Sequence, residues 1–205
     1  MEILMAKFLT LLVAILFLCV PSRANATLVT FDDINVYGTS NVGFEIPFGY
    51  NGLIFTNIYA MDPRLCEGSP YCGGSYNGRV SPSNIASARS YGSFSYGEIN
   101  SFVPFTLNGG AFSASYMDTE LVIVGYLDNV VIYNDTFAIS AAGPTFVTLN
   151  WSNIDRVFIS SNNGGSIVID NLMINEVPIP AVLPLFGGGL MALGGLRLVG
   201  RKRKA

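Results

Sequence analysis

The stretch that decides the fold is SIVIDNLMI, residues 166–174. Apolar residues recur at every second position within it, first at Ile167 and Ile169 and then, in the opposite phase, at Leu172 and Ile174. Such alternation is typical of a β-strand that buries one face. The change of phase at residues 170–171 predicts a β-bulge inside the strand.

Similar short runs, rich in β-branched and aromatic residues, precede this stretch. They cover residues 28–31, 53–59, 102–107, 111–116, 121–127, 130–137, 145–149 and 157–160. Turn-forming residues separate many of them, at 108–110, 128–129, 142–144 and 162–165. Many short strands with regular turns predict an all-β domain over residues 27–176, an antiparallel jelly-roll-like β-sandwich.

The stretch 60–100 interrupts this pattern. It is rich in Gly, Ser, Tyr and Pro and has little periodicity, so we expect a long loop that is either a binding loop or a surface excursion. Cys66 and Cys72 lie within it and are the two cysteines that remain once the N-terminal segment is removed. An even number of cysteines in an exported chain predicts a structural disulfide between them.

The N-terminal 26 residues have the organisation of a secretory signal peptide. Lys7 precedes an unbroken apolar run over residues 8–20, and the small residues Ala24 and Ala26 fit the A-x-A pattern that signal peptidase reads. We therefore expect cleavage after Ala26, and the alternative is an uncleaved N-terminal anchor.

The C-terminal 29 residues have the organisation of a second targeting segment. Residues 177–196 contain no ionisable side chain, and as a helix they would span about 30 Å, the thickness of a bilayer core. A basic cluster at residues 201–204 follows, as expected where the end of a membrane helix stays in the cytoplasm. The sequence therefore predicts a transmembrane helix that holds the chain at a membrane.

The apolar segment begins with the motif Val177, Pro178, Ile179, Pro180 and Ala181. The order of motif, apolar helix and basic tail resembles the PEP-CTERM sorting signal of Gram-negative bacteria, and the motif is closest to the Val-Pro-Leu-Pro-Ala variants. Ile179 stands where the namesake motif has glutamate. The resemblance implies processing by an exosortase, a membrane-embedded sorting enzyme, in a bacterium that makes extracellular polysaccharide.

Composition excludes several functions of the domain 27–176. It has thirteen acidic residues, four arginines and no lysine, a difference of nine negative charges, which disfavours binding to nucleic acids. The chain has no histidine, so it lacks Ser-His and Cys-His nucleophile pairs and histidine-based zinc sites. We therefore expect a protein that is not an enzyme.

A glycan-active hydrolase or lyase that uses paired carboxylates is the enzyme alternative. The candidate acids are Asp32, Asp33, Glu45, Glu98, Asp118 and Glu120.

Aromatic and amide side chains favour a binding function instead. The domain holds all ten tyrosines of the chain and many asparagines, which suit stacking on sugar rings and hydrogen bonding to their hydroxyls. Trp151 is expected in the core rather than on a sugar platform. We expect an exported cell-surface or matrix protein with glycan or exopolysaccharide binding, and a self-associating matrix subunit is a further alternative.

Residues 154–172 also resemble the closing hairpin of carbohydrate-module-like jelly rolls. In such modules an aspartate near the last strand, with acids near the first, can hold a structural Ca²⁺. The resemblance implies that Asp170, Asp32 and Asp33 would supply carboxylate ligands here.

Overall fold

The structure, a computed structural model, describes residues 26–36, 43–91 and 94–176, and within these ranges eleven strands form. The strands are β1 (Ala26–Val29), β2 (Phe44–Glu45), β3 (Ile54–Thr56), β4 (Ile58–Met61), β5 (Ile85–Ala88), β6 (Ser90–Tyr91), β7 (Phe94–Ala114), β8 (Thr119–Leu127), β9 (Val130–Ile139), β10 (Thr145–Ser161) and β11 (Ile167–Glu176). A 3₁₀ turn (Pro63–Cys66) and one short helix, α1 (Gly73–Asn77), lie between β4 and β5. All strand pairings are antiparallel, so the predicted all-β antiparallel class is confirmed.

Two long strands, β7 and β10, take part in both layers of a β-sandwich. Residues 94–100 of β7 pair with β3 and with the second half of β10, which pairs onward with β8 and then β9. The second half of β7 pairs with β11 and with the first half of β10, and the order continues from β11 to β5, β4 and β2. We call the layer with β3, β8 and β9 the open layer and the layer with β4, β5 and β11 the covered layer.

The hydrophobic core lies between the two layers. Ile99, Val157 and Ile159 turn inward from the open layer and are almost fully buried. The layers are in close contact at Gly97, where a Cβ atom would lie 2.4 Å from Cγ1 of Ile58. Trp151 is 4% exposed and belongs to this core, as predicted.

Two predicted breaks turn out to be continuous strand. Residues 108–110 lie inside β7 rather than in a turn, and β10 runs through residues 150–156, which separated two predicted strands. Gly109 has φ +146°, and a Cβ there would lie 2.0 Å from the Val147 carbonyl oxygen, so glycine is needed for close approach of the two backbones. In β10, Asn150 and Asn153 have positive φ where the register with β7 shifts. The residues that resembled turn signals thus lie at irregularities inside continuous strands.

The prediction that residues 154–172 form a closing hairpin is wrong. β10 and β11 do not pair with each other, because β7 lies between them. Other local predictions are confirmed. Residues 128–129 form the β8–β9 turn with positive φ at both positions, as a type I′ turn requires. The register of β11 with β7 shifts after Asp170, where the sequence predicted a bulge.

The predicted signal peptide and the predicted C-terminal sorting segment lie almost wholly outside the described residues. Of the signal-peptide positions only Ala26 is described, as the first residue of β1, and residues 177–181 of the sorting motif lie beyond the described part. Within the described part of the chain, no helix has the length and apolar character needed to span a bilayer.

Candidate functional site

The outer surface of the open layer carries aromatic side chains that the rest of the described chain does not bury. Because side chains alternate along a strand, the neighbours of inward-facing Ile99, Val157 and Ile123 point outward. We call this surface the aromatic face. Its members are Phe94, Tyr96, Glu98, Asn100, Val122, Val124, Tyr126, Arg156, Phe158 and Ser160, all half-buried or exposed.

Three aromatic rings form a row across β7 and β10. The centroids of Phe94 and Tyr96 lie 6.0 Å apart with their planes at 27°, and those of Tyr96 and Phe158 lie 6.1 Å apart at 21°. A shallow depression follows this row and is completed by Ser160 and Asn162. The row therefore presents apolar ring surface next to hydroxyl and amide groups.

Polar residues lie beside the rings on adjacent strands of the aromatic face. Glu98 lies opposite Phe158, which lies opposite Val124, so the carboxylate and the ring occupy adjacent strands. In the next row, the guanidinium carbon of Arg156 lies 4.1 Å from the centroid of the Tyr126 ring. This cation–π contact places the guanidinium over the tyrosine ring. The face thus combines ring surfaces with a carboxylate, amides and a guanidinium.

Two of the predicted catalytic acids point outward on this layer, but the register separates them. Glu98 is in line with Val124 across two strand spacings, and Glu120 precedes Val124 by four residues on β8. At about 3.4 Å per residue and about 4.8 Å per strand spacing, their Cα atoms lie about 17 Å apart. Glycosidase carboxylates are separated by roughly 5–9.5 Å, so this pair does not have the geometry of a hydrolase.

The other candidate acids hold local structure. Asp118, next to Glu120, accepts hydrogen bonds from the Ala141 backbone N–H at 2.9 Å and from the Ser140 hydroxyl at 2.8 Å. These bonds, the backbone one first, hold the pKa of Asp118 below its usual range. Glu45 lies in the two-residue strand β2, opposite Tyr59.

Asp170 and Asp32 both bind the segment 80–84, which crosses the covered layer. Asp170 is buried and accepts hydrogen bonds from the backbone N–H groups of Val80 and Ser81, each at 2.7 Å, from the Ser81 hydroxyl at 2.9 Å and from its neighbour in the chain. Burial raises the pKa of Asp170, although these hydrogen bonds oppose the rise. Asp32 accepts from the N–H groups of Ser83 and Asn84 at 2.9 and 2.8 Å.

The third predicted calcium ligand, Asp33, has a different partner. Asp33 accepts a hydrogen bond from the Tyr50 hydroxyl, and burial together with this bond keeps the pKa of that tyrosine above its usual value. Across residues 26–36, 43–91 and 94–176, no three acidic or sulfur side chains are grouped closely enough to hold a metal ion. Calcium binding by Asp32, Asp33 and Asp170 therefore stays a prediction. A melting temperature that does not shift with Ca²⁺ or EDTA would remove it.

The predicted long loop is partly strand and partly a covering segment. β5, β6 and the start of β7 lie within residues 60–100, and the long excursion from the sheet covers residues 62–84. Cys66 and Cys72 form the predicted disulfide, with Cα atoms 5.2 Å apart. Cys66 packs with Met61, Ile85 and Val168 in a second small core, which lies outside the main one. The segment 62–84 therefore covers the outer surface of the covered layer.

Small residues allow the covering segment to lie flush on the sheet. A Cβ on Gly74 of α1 would lie 2.0 Å from the Ala114 carbonyl oxygen, and one on Gly78 would lie 1.8 Å from the Ser113 hydroxyl. The Gly74 N–H donates to the Ser115 carbonyl at 2.7 Å, and the hydroxyls of Ser75 and Ser115 lie 3.0 Å apart. The contact is thus polar and close.

Sequence reasoning missed the aromatic face because four of its ten members lie in the stretch read as a loop. In FSYGEI, residues 94–99, aromatic and charged residues do alternate with inward ones. The inward residues Ser95 and Gly97 are small, however, so the alternation carries little hydrophobic contrast. The available signal was the period of two in Phe94, Tyr96 and Glu98.

Comparisons with known proteins gave structural likeness only. No protein-family model matches the chain, and the search of curated proteins found no match. An exo-beta-agarase structure is 13% identical with a TM-score of 0.43, and the match covers 77% of this chain and 25% of the agarase chain. The endo-1,4-beta-D-xylanase 10B of Clostridium thermocellum, complexed with xylohexaose, is 12% identical with a TM-score of 0.40, over 76% of this chain and 29% of the other. A family 16 carbohydrate-binding module is 10% identical with a TM-score of 0.32, over 58% and 85%.

Proposed function

We propose that the protein is a non-enzymatic, exported glycan-binding protein whose aromatic face binds an extended polysaccharide. The observation that carries the proposal is the row of Phe94, Tyr96 and Phe158 on a sheet surface that no described segment covers. Sugar rings present C–H surfaces that pack on aromatic rings, and their hydroxyls need polar partners at the same depth. Glu98, Ser160 and Asn162 supply such partners beside the row.

The wide separation of Glu98 and Glu120 favours binding without turnover. A hydrolase needs a general acid and a base or nucleophile on the two sides of one glycosidic bond. A lone carboxylate beside a ring row can orient a sugar hydroxyl but cannot complete this pair. Release of reducing sugar that a Glu98→Gln substitution abolishes would reverse this part of the proposal.

Delivery to the cell surface completes the proposed function. The domain, for which we propose jelly-roll-like connectivity, would be exported through signal peptidase and held at the inner membrane of a Gram-negative bacterium by the segment 177–205. An exosortase-like enzyme would then process the motif at residues 177–181. A pulse-chase of a tagged chain, with and without residues 177–205, tests this: a mature product that always retains its tail contradicts the sorting step.

Self-association as a matrix subunit is a second candidate, favoured by β9. This ten-residue strand pairs only with β8 within the described residues, and Val130, Val131 and Ile132 are 62%, 52% and 41% exposed. Asp135 lies opposite inward-facing Ile123, and a charge in such a position disfavours edge-to-edge pairing. Sedimentation of the full-length chain as a strict monomer would count against this candidate.

The binding proposal is tested on a glycan array with the full-length chain and two matched variants. Phe158→Ala removes a ring from the row, and Phe146→Ala removes an exposed ring from the same strand in the other layer. Retention that only Phe158→Ala weakens supports the aromatic face. Equal losses in both variants, or no retention by the unmodified chain, contradict it.

A further inference from the structure

Two phenylalanine rings are exposed side by side at one corner of the sandwich. Phe48 is 76% exposed and Phe102 is 83% exposed, and the centroids of their rings lie 6.1 Å apart. Val103, the next residue in the chain, is 52% exposed. We call these three residues the phenylalanine patch. Apolar side chains that are exposed singly are ordinary, whereas a group of them marks a contact surface.

The patch lies outside the aromatic face. Asn100 of β7 pairs with β3 in the open layer, and Phe105 of the same strand pairs with β11 in the covered layer. Residues 101–104, which include Phe102, therefore form the part of β7 that crosses from one layer to the other. The patch is thus a feature of this corner and is separate from the row of rings proposed for glycan binding.

The loop that carries Phe48 pairs its own backbone groups. Within residues 47–53, three N–H groups donate to carbonyl oxygens three positions earlier, at 3.0 to 3.1 Å. Unpaired backbone groups are costly in apolar surroundings, so a loop that is closed by such turns loses less when it leaves water.

The two segments that carry the patch are uncharged, although the domain is strongly acidic. Residues 46–61 and 99–117 contain no Asp, Glu, Lys or Arg, whereas the domain 27–176 has thirteen acids and four arginines. The carboxylate of Asp33 does contact the loop, through the Tyr50 hydroxyl. Contact of the three patch residues with an apolar phase would therefore require no charge of their own segments to lose its water.

The chain leaves the domain close to the patch. Glu176, the last residue of β11, lies opposite Phe105, and Phe102 precedes Phe105 by three residues. The Cα atoms of Phe102 and Phe105 are therefore at most about 11 Å apart. Residues 177–196, for which the sequence predicts a transmembrane helix, follow directly after Glu176.

We propose that the phenylalanine patch contacts the surface of the bilayer that holds the chain, with Phe48, Phe102 and Val103 inserted at the boundary between headgroups and acyl chains. The expected depth is that of other interfacial apolar surfaces, about 5–10 Å. The inference rests on the proposed anchoring by residues 177–205. It goes beyond that anchoring because the contact fixes the orientation of the domain, with this corner facing the membrane.

The test is tryptophan fluorescence of the full-length chain in phosphatidylcholine vesicles. Phe102→Trp places a reporter in the patch, and the background is constant because Trp151, the single tryptophan of the chain, is 4% exposed. Phe146→Trp is the matched control. Phe146 is 71% exposed but lies opposite Ala111, six positions beyond Phe105, which is about 20 Å farther along the strand from the end of β11.

The vesicles carry bromine atoms, which quench tryptophan, either near the headgroup end or near the methyl end of the acyl chains. Phe102→Trp should emit at shorter wavelength when lipid is added and should lose more fluorescence to bromines near the headgroup end, because the contact is shallow. Phe146→Trp should show neither change. If Phe102→Trp fails to fold, Phe48→Trp takes its place in the same comparison.

Flotation of the same samples separates the contact from the anchoring. In chains that float with the vesicles, unchanged emission from Phe102→Trp, or equal quenching of Phe146→Trp, overturns the contact and leaves the anchoring intact. Chains that do not float contradict the anchoring and, with it, the inference. Protection of Phe102→Trp from iodide that rises with protein concentration and needs no lipid would assign the patch to a second copy of the chain, which also overturns the inference.

Discussion

The two outer surfaces of the sandwich are built on the same long strands, β7 and β10, yet one is covered and the other is not. On the covered layer β7 presents small residues such as Ser113, and the glycines of α1 pack directly against them. On the open layer the same strand presents Phe94 and Tyr96, which no described segment packs over. Along β7, small residues therefore lie under the covering segment, whereas the aromatic residues lie on the surface that we propose for a ligand.

The largest effect is expected from removing the anchor of the covering segment. Asp170→Ala would leave the buried donors of Val80 and Ser81 without their acceptor, and breaking such a buried set costs about 4 kcal/mol of unfolding free energy. Urea unfolding of the full-length chain measures this. Asp135→Asn, at an exposed position, serves as the control and should change stability little. A loss below about 1 kcal/mol for Asp170→Ala would show that the segment is held by other contacts.

Reduction of the disulfide should lower the unfolding free energy by less than Asp170→Ala does. Opening the Cys66–Cys72 loop returns chain entropy to the unfolded state and should cost about 2 kcal/mol. A paired Cys66→Ser and Cys72→Ser variant, compared with the unmodified chain with and without reductant, measures this. Stability that reductant leaves unchanged in the unmodified chain would contradict the structural role of the disulfide.

Removal of one ring from the aromatic face should affect binding more than folding. Phe158→Ala removes the contact with Tyr96, and the glycan affinity should fall about tenfold, which corresponds to one lost stacking contact. Phe158 is only half-buried, so the loss of unfolding free energy should be about 1–2 kcal/mol. Unchanged affinity in a folded Phe158→Ala protein would remove the aromatic row from the binding surface.

The smallest effect concerns acid sensitivity at the rim of the covering segment. Asp118 holds the loop at Ser140 and Ala141, and the side-chain amide of Asn77 in turn donates to the Ala141 carbonyl at 3.1 Å. Because the pKa of Asp118 is lowered in the folded protein, its contribution to stability is present above the unfolded value of about 4 and is lost as pH falls through the folded value. An NMR titration should place the midpoint of the Asp118 carboxyl below the ordinary aspartate value of about 4. A midpoint at or above the ordinary value contradicts the hydrogen bonds.

The sequence predicted the strands whose inward residues are large. Alternation in β11 and the turn at residues 128–129 were sufficient because branched apolar residues and positive-φ residues carry strong local signals. The start of β7 was missed because Ser95 and Gly97 face inward, and the length of β10 was missed because asparagine bulges look like turns. These features depend on what packs on the other side of the strand.

The candidate site was harder to predict for the same reason. Phe94 and Phe158 are 64 positions apart in the sequence and become neighbours of Tyr96 only through the pairing of β7 with β10. The disulfide could be predicted without the strand pairing, because Cys66 and Cys72 are the two cysteines of residues 27–176 and lie six positions apart.

The measurement that tests the central claim most directly is an NMR map of the full-length chain titrated with the glycan that it retains most strongly on the array. Backbone amide shifts should concentrate at residues 94–100 of β7, 156–160 of β10 and 122–126 of β8, which carry the aromatic face. Shifts confined to residues 62–84, or spread evenly over both layers, would contradict the assignment of glycan binding to the uncovered surface.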